Sequence, residues 1–282
     1  MVSELEETIR PYLELVVNVS CFSVCYLALI PYFLNRKNAN FIGTLMFFIG
    51  ACSLYSTIVA FEAVVRILSI IGVLEDDSIC DNMWFFLAKS ASVDFIYVGG
   101  TILALDRVLI ITFPVKYPTW CSRKLCFMAV LLSASTIVFL FVTHLFSPTT
   151  EDGSNLAFST RNALGIVGAV YDVAAPVELT LHVLFCIQYR RLVKSKTLIH
   201  QGFKAHQVTL VQGISQTCFC LLSKIIHRIN TSFLPKRMAW IDRIIYYYQL
   251  FFSIHILLTC SFMVYKFRLT KRVKVHKVYT SN

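Results

Sequence analysis

The stretch FIGTLMFFIGACSLYSTIVAFEAVVRIL, residues 41–68, decides the fold of this chain. It is a continuous apolar run in which only Glu62 and Arg66 are charged. A helix needs roughly 20 apolar residues to cross the hydrocarbon core of a bilayer, and this run is long enough. Because lipid offers the backbone no hydrogen bonds, a segment of this kind spans the membrane as an α-helix.

Further apolar runs lie on both sides of this one, at about residues 14–34, 84–106, 125–147, 162–187, 208–229 and 243–265. The run at 208–229 is the weakest, since Gln212, Gln216 and Lys224 interrupt it. The composition agrees, with 57% hydrophobic and only 15% charged residues. The sequence therefore predicts an all-α, integral membrane bundle of seven transmembrane helices over residues 1–265, followed by a basic tail at 266–282.

Lysine and arginine mark the orientation, because short cytoplasmic loops retain basic residues. Alternate connections and the tail hold most of them: Arg36, Lys37, Arg107, Lys116, Arg123, Lys124, Arg190, Arg191, Lys194, Lys196, Lys204, Lys266, Arg268, Lys271, Arg272, Lys274 and Lys277. The other segments hold Arg10, Arg161, Lys236 and Arg237, together with Glu4, Glu6, Glu7, Glu75, Asp76, Asp77, Asp81, Glu151 and Asp152. This alternation predicts the N-terminus outside the cell and the C-terminus in the cytoplasm.

The formal charge of +10 does not indicate nucleic acid, because the basic residues lie between apolar runs and not on one face. Most of the ten cysteines lie inside apolar runs, where cysteine acts as a small hydrophobe. The acidic N-terminus lacks the basic region of a cleavable signal peptide, so the first run is expected to stay as an anchor. No motif indicates an enzyme, a metal site or a cofactor.

The segment ALDRVLIITFPVKY, residues 104–117, joins the third run to the next connection. Asp106 and Arg107 place an acid beside a base at the predicted cytoplasmic boundary. Pro114 follows seven residues after the arginine and ends any continuing helix, and Tyr117 follows ten residues after it. The dipeptide alone is common by chance, but the whole spacing is far more specific.

This spacing resembles the DRY–Pro–Tyr segment of rhodopsin-like G-protein-coupled receptors. Within that superfamily the chain is most similar to the nematode serpentine chemoreceptors of the Srbc class, on LALDR (103–107) and VTLVQGISQTCFCLLSK (208–224). The resemblance implies a plasma-membrane receptor of sensory neurons that binds a small environmental molecule and signals through a heterotrimeric G protein. Asp106 would hold Arg107 at rest, and Arg107, Pro114, Tyr117, Arg190 and Arg191 would serve coupling.

The chain departs from the superfamily pattern in several places. The sixth run has no CWxP proline, the seventh has no NPxxY, and the fourth has no tryptophan. The segment before the sixth run has no acidic side chain that could form an interhelical ion pair with Arg107. Each departure weakens what the resemblance implies about activation.

Ionisable residues inside the runs are candidates for a ligand site, since they usually face the interior of a bundle. Glu62 and Arg66 are four residues apart, as are Glu178 and His182, so each pair shares a helix face. Lys89 and Asp94 lie in the third run, and Lys89 lies eighteen residues before Arg107 on the same face.

Amine receptors of the superfamily carry an aspartate at the offset of Lys89, so a lysine there implies an anionic or neutral ligand. Lys89 could instead reach the outer interface or neutralise Glu62 or Asp94. The two local pairs could likewise be structural.

Three further expectations stay open at this level. Asn230-Thr231-Ser232 is a glycosylation motif in a predicted outer connection. The basic tail either lies along the anionic inner leaflet or is disordered. A multi-pass transporter or ligand-gated channel is the alternative to a receptor, although no internal repeat indicates a transporter.

Overall fold

The structure, a computed structural model, describes residues 4–34, 43–74, 83–113, 119–146, 158–194, 200–221, 226 and 246–279. This part of the chain is almost entirely helical and contains no strand. The predicted all-α class is therefore confirmed.

The described helices follow one another along the chain. Their bounds are α1 (Glu4–Leu34), α2 (Gly43–Ile70), α3 (Met83–Thr112), α4 (Thr119–Leu145), α5 (Phe158–Lys194), α6 (His200–Gln216) and α7 (Tyr248–Tyr279). A π-helical turn, Thr217–Leu221, continues α6.

Five of these helices are long and apolar enough to cross a membrane: Leu5–Ile30, Gly43–Ile70, Trp84–Thr112, Ser122–Thr143 and Tyr248–Lys266. They correspond to the first, second, third, fourth and seventh predicted runs. The helix α5 covers the fifth run, and α6 with its π-helical turn covers residues 208–221 of the sixth. Five spans are thus present by length and composition, and seven stays a prediction.

Two helices extend well beyond their apolar runs. The helix α1 begins at Glu4, ahead of the run predicted from residue 14, and an ion pair between Arg10 Nε and Glu14 Oε1 at 2.7 Å stabilises this part of it. The helix α7 continues through the basic segment to Tyr279, beyond the membrane-length window that ends at Lys266.

The end of α2 shows how the sequence stops a helix. Gly72 has a φ of 75°, in the left-handed region that glycine adopts without strain. Its N–H donates to the Ser69 carbonyl at 3.0 Å, and the Val73 N–H donates to the Leu68 carbonyl at 2.9 Å. This is a Schellman cap, so the chain leaves α2 immediately before the acidic segment at 75–81.

The bundle exposes many large apolar side chains and buries many polar ones. Large apolar residues are exposed along α4, for example Phe127, Leu131 and Val138, while Asn18 and Arg107 are buried. Soluble proteins rarely expose such continuous apolar surface or bury so many polar groups. The distribution is that of a multi-pass helical protein in lipid.

The core lies where α1, α2 and α7 meet. Tyr55 of α2 packs edge-on against Phe252 of α7, with ring centroids 5.0 Å apart. Cys25 of α1 and Cys260 of α7 are buried with their Sγ atoms 3.5 Å apart. These small side chains fill the interior between helices, as expected for cysteine acting as an apolar residue.

The paired glycines of α3 allow close approach on two sides. A Cβ added at Gly99 would lie 3.2 Å from Phe47 Cδ1 and 3.3 Å from the Phe48 Cα of α2. A Cβ added at Gly100 would overlap Glu178 Oε1 of α5. Small residues therefore set the α2–α3 and α3–α5 distances.

We predict that Gly99→Ala destabilises the protein by about 1–3 kcal/mol, because the Phe48 backbone cannot move away from the added methyl group. Thermal unfolding of the purified protein in detergent measures the effect. Gly50→Ala is the matched control, since nothing lies within 4 Å of its added Cβ. A Gly99→Ala midpoint equal to or above that of the control would contradict the close α2–α3 packing.

Candidate functional site

The first group of interior charges, which we call the Glu62 cluster, consists of Glu62, Arg66, Lys89 and Gln249. Lys89 Nζ lies 2.6 Å from Glu62 Oε2, and Arg66 Nη2 lies 2.9 Å from Glu62 Oε1. Gln249 Nε2 donates to Glu62 Oε2 at 3.3 Å. One carboxylate thus holds together side chains from α2, α3 and α7.

The contacts decide between the alternatives that the sequence left open for this group. The Glu62–Arg66 pair forms as predicted from the four-residue spacing. Lys89 contacts Glu62, and Asp94 is buried five residues further along α3. Neutralisation of Lys89 by Glu62 is therefore the arrangement in the structure, and direct ligand contact stays a prediction.

A second ion pair lies at the same end of the bundle. Arg10 pairs with the buried Glu14 within α1, and the Arg10 guanidinium stacks 4.2 Å from the centroid of the Tyr246 ring. One turn deeper, Ser253 Oγ of α7 donates to Asn18 Oδ1 of α1 at 3.0 Å. These contacts fix the start of α7 beside α1, which positions Gln249 for Glu62.

The second group, which we call the polar layer, lies deeper and joins α5, α6 and α7. Its members are Glu178, His182, Gln212, Ser215, Gln216, His255 and Thr259, all buried. Gln216 Nε2 donates to Glu178 Oε2 at 2.7 Å, and His182 Nε2 lies 3.7 Å from Glu178 Oε1. Gly100, which lies against Glu178, is on α3 between Lys89 and Asp106. Along α3, the polar layer therefore lies between Lys89 of the Glu62 cluster and Asp106.

Histidine and hydroxyl groups complete the layer on the α7 side. His255 Nδ1 and Ser215 Oγ lie 2.8 Å apart, and Ser215 Oγ lies 3.2 Å from Thr259 Oγ1. A Cβ at Gly213 would lie 2.6 Å from His182 Nδ1, so the imidazole rests directly on the α6 backbone. The π-helical turn begins immediately after Gln216, and such turns are frequent at functional sites.

Several buried atoms of this layer have no hydrogen-bond partner among the described residues. They are both ring nitrogens of His182, both amide atoms of Gln212, Gln216 Oε1 and His255 Nε2. An unsatisfied buried polar group costs about 1–3 kcal/mol. Such a concentration marks a place suited to internal water or to a polar molecule.

The third group is the Asp106–Arg107 pair near the C-terminal end of α3. Arg107 Nη2 lies 3.6 Å from Asp106 Oδ2, and their side chains are 1% and 0% exposed. Thr44 Oγ1 of α2 donates to Asp106 Oδ2 at 3.0 Å. The two charged groups thus lie at ion-pair distance, longer than a hydrogen bond. The hydroxyl group of Thr44 orients the carboxylate from the neighbouring helix.

The surroundings of this pair connect α3 to α5. Thr112 Oγ1 donates to Gln188 Oε1 at 3.0 Å, close to the ends of both helices. Arg190 and Arg191 follow on α5 with exposed side chains. Pro114, Tyr117 and the glycosylation motif at Asn230 lie outside the described residues.

The sequence alone does not indicate the partners that come from other helices. Thr44, Ser215 and Gln249 carry no signal beyond being polar residues within apolar runs. Gln212 and Gln216 were noticed only because they lower the hydropathy of the sixth run. For all five residues, the signal that the sequence offers is a polar side chain within an apolar run, which indicates a buried position in the bundle.

Comparison with known proteins gives no assignment for this chain. No protein-family model matches it. No curated protein matches it at a significant level of sequence similarity. Function is therefore inferred from the residues and their contacts.

We predict that Glu62→Gln destabilises the protein by about 1–3 kcal/mol, because the change leaves Lys89 and Arg66 facing each other without a counter-charge. The loss is smaller than for a fully buried pair, since Arg66 is 42% exposed. The double variant Glu62→Gln/Lys89→Met should lose less free energy of unfolding than the two single variants lose in sum.

Chemical or thermal unfolding of the four proteins completes this double-mutant cycle. Glu7→Gln, an exposed residue of α1, is the control for loss of one carboxylate. Additive losses in the double variant would mean that Glu62 and Lys89 do not interact energetically.

Proposed function

We propose that this protein is a chemosensory G-protein-coupled receptor that binds a small molecule within the helix bundle and signals through a heterotrimeric G protein. The observation that carries the proposal is the buried Asp106–Arg107 pair at the end of α3, with Thr44 hydrogen-bonded to Asp106. The pair lies at the position that the resemblance to rhodopsin-like receptors assigns to G-protein coupling.

The proposed topology has seven spans, with the N-terminus outside and the C-terminus in the cytoplasm. Five helices are apolar enough to span, and α5 and α6 supply the remaining two in this proposal. Glu178, His182, Gln212, Ser215 and Gln216 of these two helices are buried in the polar layer. By family resemblance, the receptor acts in the plasma membrane of sensory neurons.

A buried arginine held by its neighbouring carboxylate is suited to a two-state switch. A guanidinium is expensive to bury without compensation, and the Asp106 carboxylate offsets that cost in the resting state. When the helices rearrange, Arg107 becomes available to the G protein. A ligand that favours the rearranged state shifts the balance between the two states.

The contacts between helices connect the Glu62 cluster to the polar layer, which lies between Lys89 and Asp106 along α3. Gln249 links α7 to Glu62, and Tyr97 Oη of α3 lies 2.8 Å from Tyr248 Oη of α7. Deeper, the contacts of His255 with Ser215 and of Gln216 with Glu178 join α7, α6 and α5 in turn. Motion of α6 relative to α5 would break the Gln216–Glu178 hydrogen bond, so this bond is a candidate element of the switch.

A transporter or ligand-gated channel is the second candidate, and the polar layer is the observation that favours it. Transport pathways also bring buried acidic and imidazole groups together in mid-membrane. The two functions differ in their need for a G protein. A ligand-evoked current that persists in cells lacking G proteins would favour the channel.

We predict that Arg107→Ala reaches the cell surface but loses ligand-evoked G-protein activation, because the coupling cation is removed. The assay combines surface staining with G-protein dissociation in heterologous cells, after a ligand screen on the unaltered protein. Arg123→Ala, an exposed basic residue of α4, is the matched control and should signal normally. Full signalling by Arg107→Ala would remove the assignment of this pair to coupling.

A further inference from the structure

We propose that the Glu62 cluster anchors a small ligand that carries one negative charge, such as a carboxylate or a sulfonate. This inference rests on the proposed receptor function and names the chemical class of its ligand. The group would bind between Arg66 and Lys89, with Glu62 as the positioning residue that holds the two cations in place.

The charge balance of the cluster gives the sign of the ligand. Glu62 contributes one negative charge and contacts two cations, Lys89 at 2.6 Å and Arg66 at 2.9 Å. The neighbouring Arg10–Glu14 pair is neutral by itself and adds nothing to the balance. Among these contacting groups the cations outnumber the carboxylates by one, in a partly buried place where screening by water is weak.

The hydrogen-bonding capacity of the cluster agrees with the charge. Both oxygens of Glu62 are engaged, Oε1 by Arg66 and Oε2 by Lys89 and Gln249. The cations retain open donors: Arg66 Nε is buried without a partner among the described residues, and Lys89 Nζ uses one of its three N–H groups on Glu62. The cluster thus lacks acceptors and not donors.

The exposure of Arg66 and Lys89 and the net charge of the cluster narrow the chemical class of the ligand further. The Arg66 and Lys89 side chains are 42% and 24% exposed, so both are reachable from the end of the bundle. A monoanion neutralises the residual charge, whereas a dianion such as a phosphate monoester leaves a surplus negative charge beside Glu62. A cation would meet Lys89 and Arg66 directly and be repelled.

The experiment uses the full-length protein in nanodiscs of zwitterionic lipid and a series of six-carbon probes. The probes are hexanoate, hexanesulfonate, hexyl phosphate, hexanol and hexylamine, and the readout is the thermal unfolding midpoint against probe concentration. We expect a saturable increase with hexanoate and hexanesulfonate, a smaller one with hexyl phosphate, and none with hexylamine. Hexanol reports the contribution of the apolar chain alone.

Variants locate the effect. Lys89→Met and Arg66→Gln should each weaken the apparent affinity for hexanoate about tenfold or more, as expected for loss of a charge-assisted hydrogen bond. Lys89→Arg keeps the charge and should stay within a few-fold of the unaltered protein. Arg123→Gln, an exposed arginine of α4 outside the cluster, is the control for loss of one positive charge.

Each outcome bears on the inference. Saturable stabilisation by hexylamine, no saturable stabilisation by either monoanion, or hexanoate binding that survives Lys89→Met/Arg66→Gln would overturn it. The acidic residues of the segment 75–81 lie outside the described residues, and a preference for hexylamine would show that they reverse the sign of the site.

The binding assay contains no G protein, so the two proposals fail separately. Hexanoate binding without G-protein activation by any ligand would contradict the receptor function and leave the anionic ligand class standing. Activation by a neutral ligand that does not change when Arg66 and Lys89 are substituted would contradict the anionic ligand class and leave the receptor function standing.

Discussion

The cost of placing polar and charged groups in a low-dielectric medium determines the arrangement of this protein. Isolated ions do not enter lipid, so each charge within the bundle either faces a partner or lies at an end. Glu62, Asp106 and Glu178 each contact a basic or amide group, and Leu131 and Val138 face outward. This constraint explains why polar groups are buried within the bundle while large apolar groups are exposed. It also makes the buried polar groups candidates for function.

The polar groups form three levels, the Glu62 cluster, the polar layer and the Asp106–Arg107 pair, and contacts between different helices connect them. Most of these contacts join helices that are distant in sequence, such as Gln249 with Glu62 and Gln216 with Glu178. The helices α5 and α6 supply most of the polar layer. A bundle with unsatisfied interior groups at one depth is suited to change its packing there, because water or a ligand can satisfy different atoms in different states.

The sequence predicted what depends on local spacing and on long apolar runs. The helical class and the Glu62–Arg66 and Glu178–His182 contacts follow from a period of 3.6 residues, and the structure contains all three. The partners of Asp106 and Glu178 on other helices could not be predicted, because they depend on how far each helix is rotated and shifted against its neighbours. Thr44 and Asp106 are 62 residues apart, and no spacing rule relates them.

The central claim is that basic residues on alternate connections fix how the chain crosses the membrane. Epitope tags at the N-terminus and within the segment 190–204, stained in intact and in permeabilised cells, test it most directly. The account predicts that the N-terminal tag is stained in intact cells and that the internal tag is stained only after permeabilisation. Staining of the internal tag in intact cells would contradict the orientation, and with it the cytoplasmic position of Arg107.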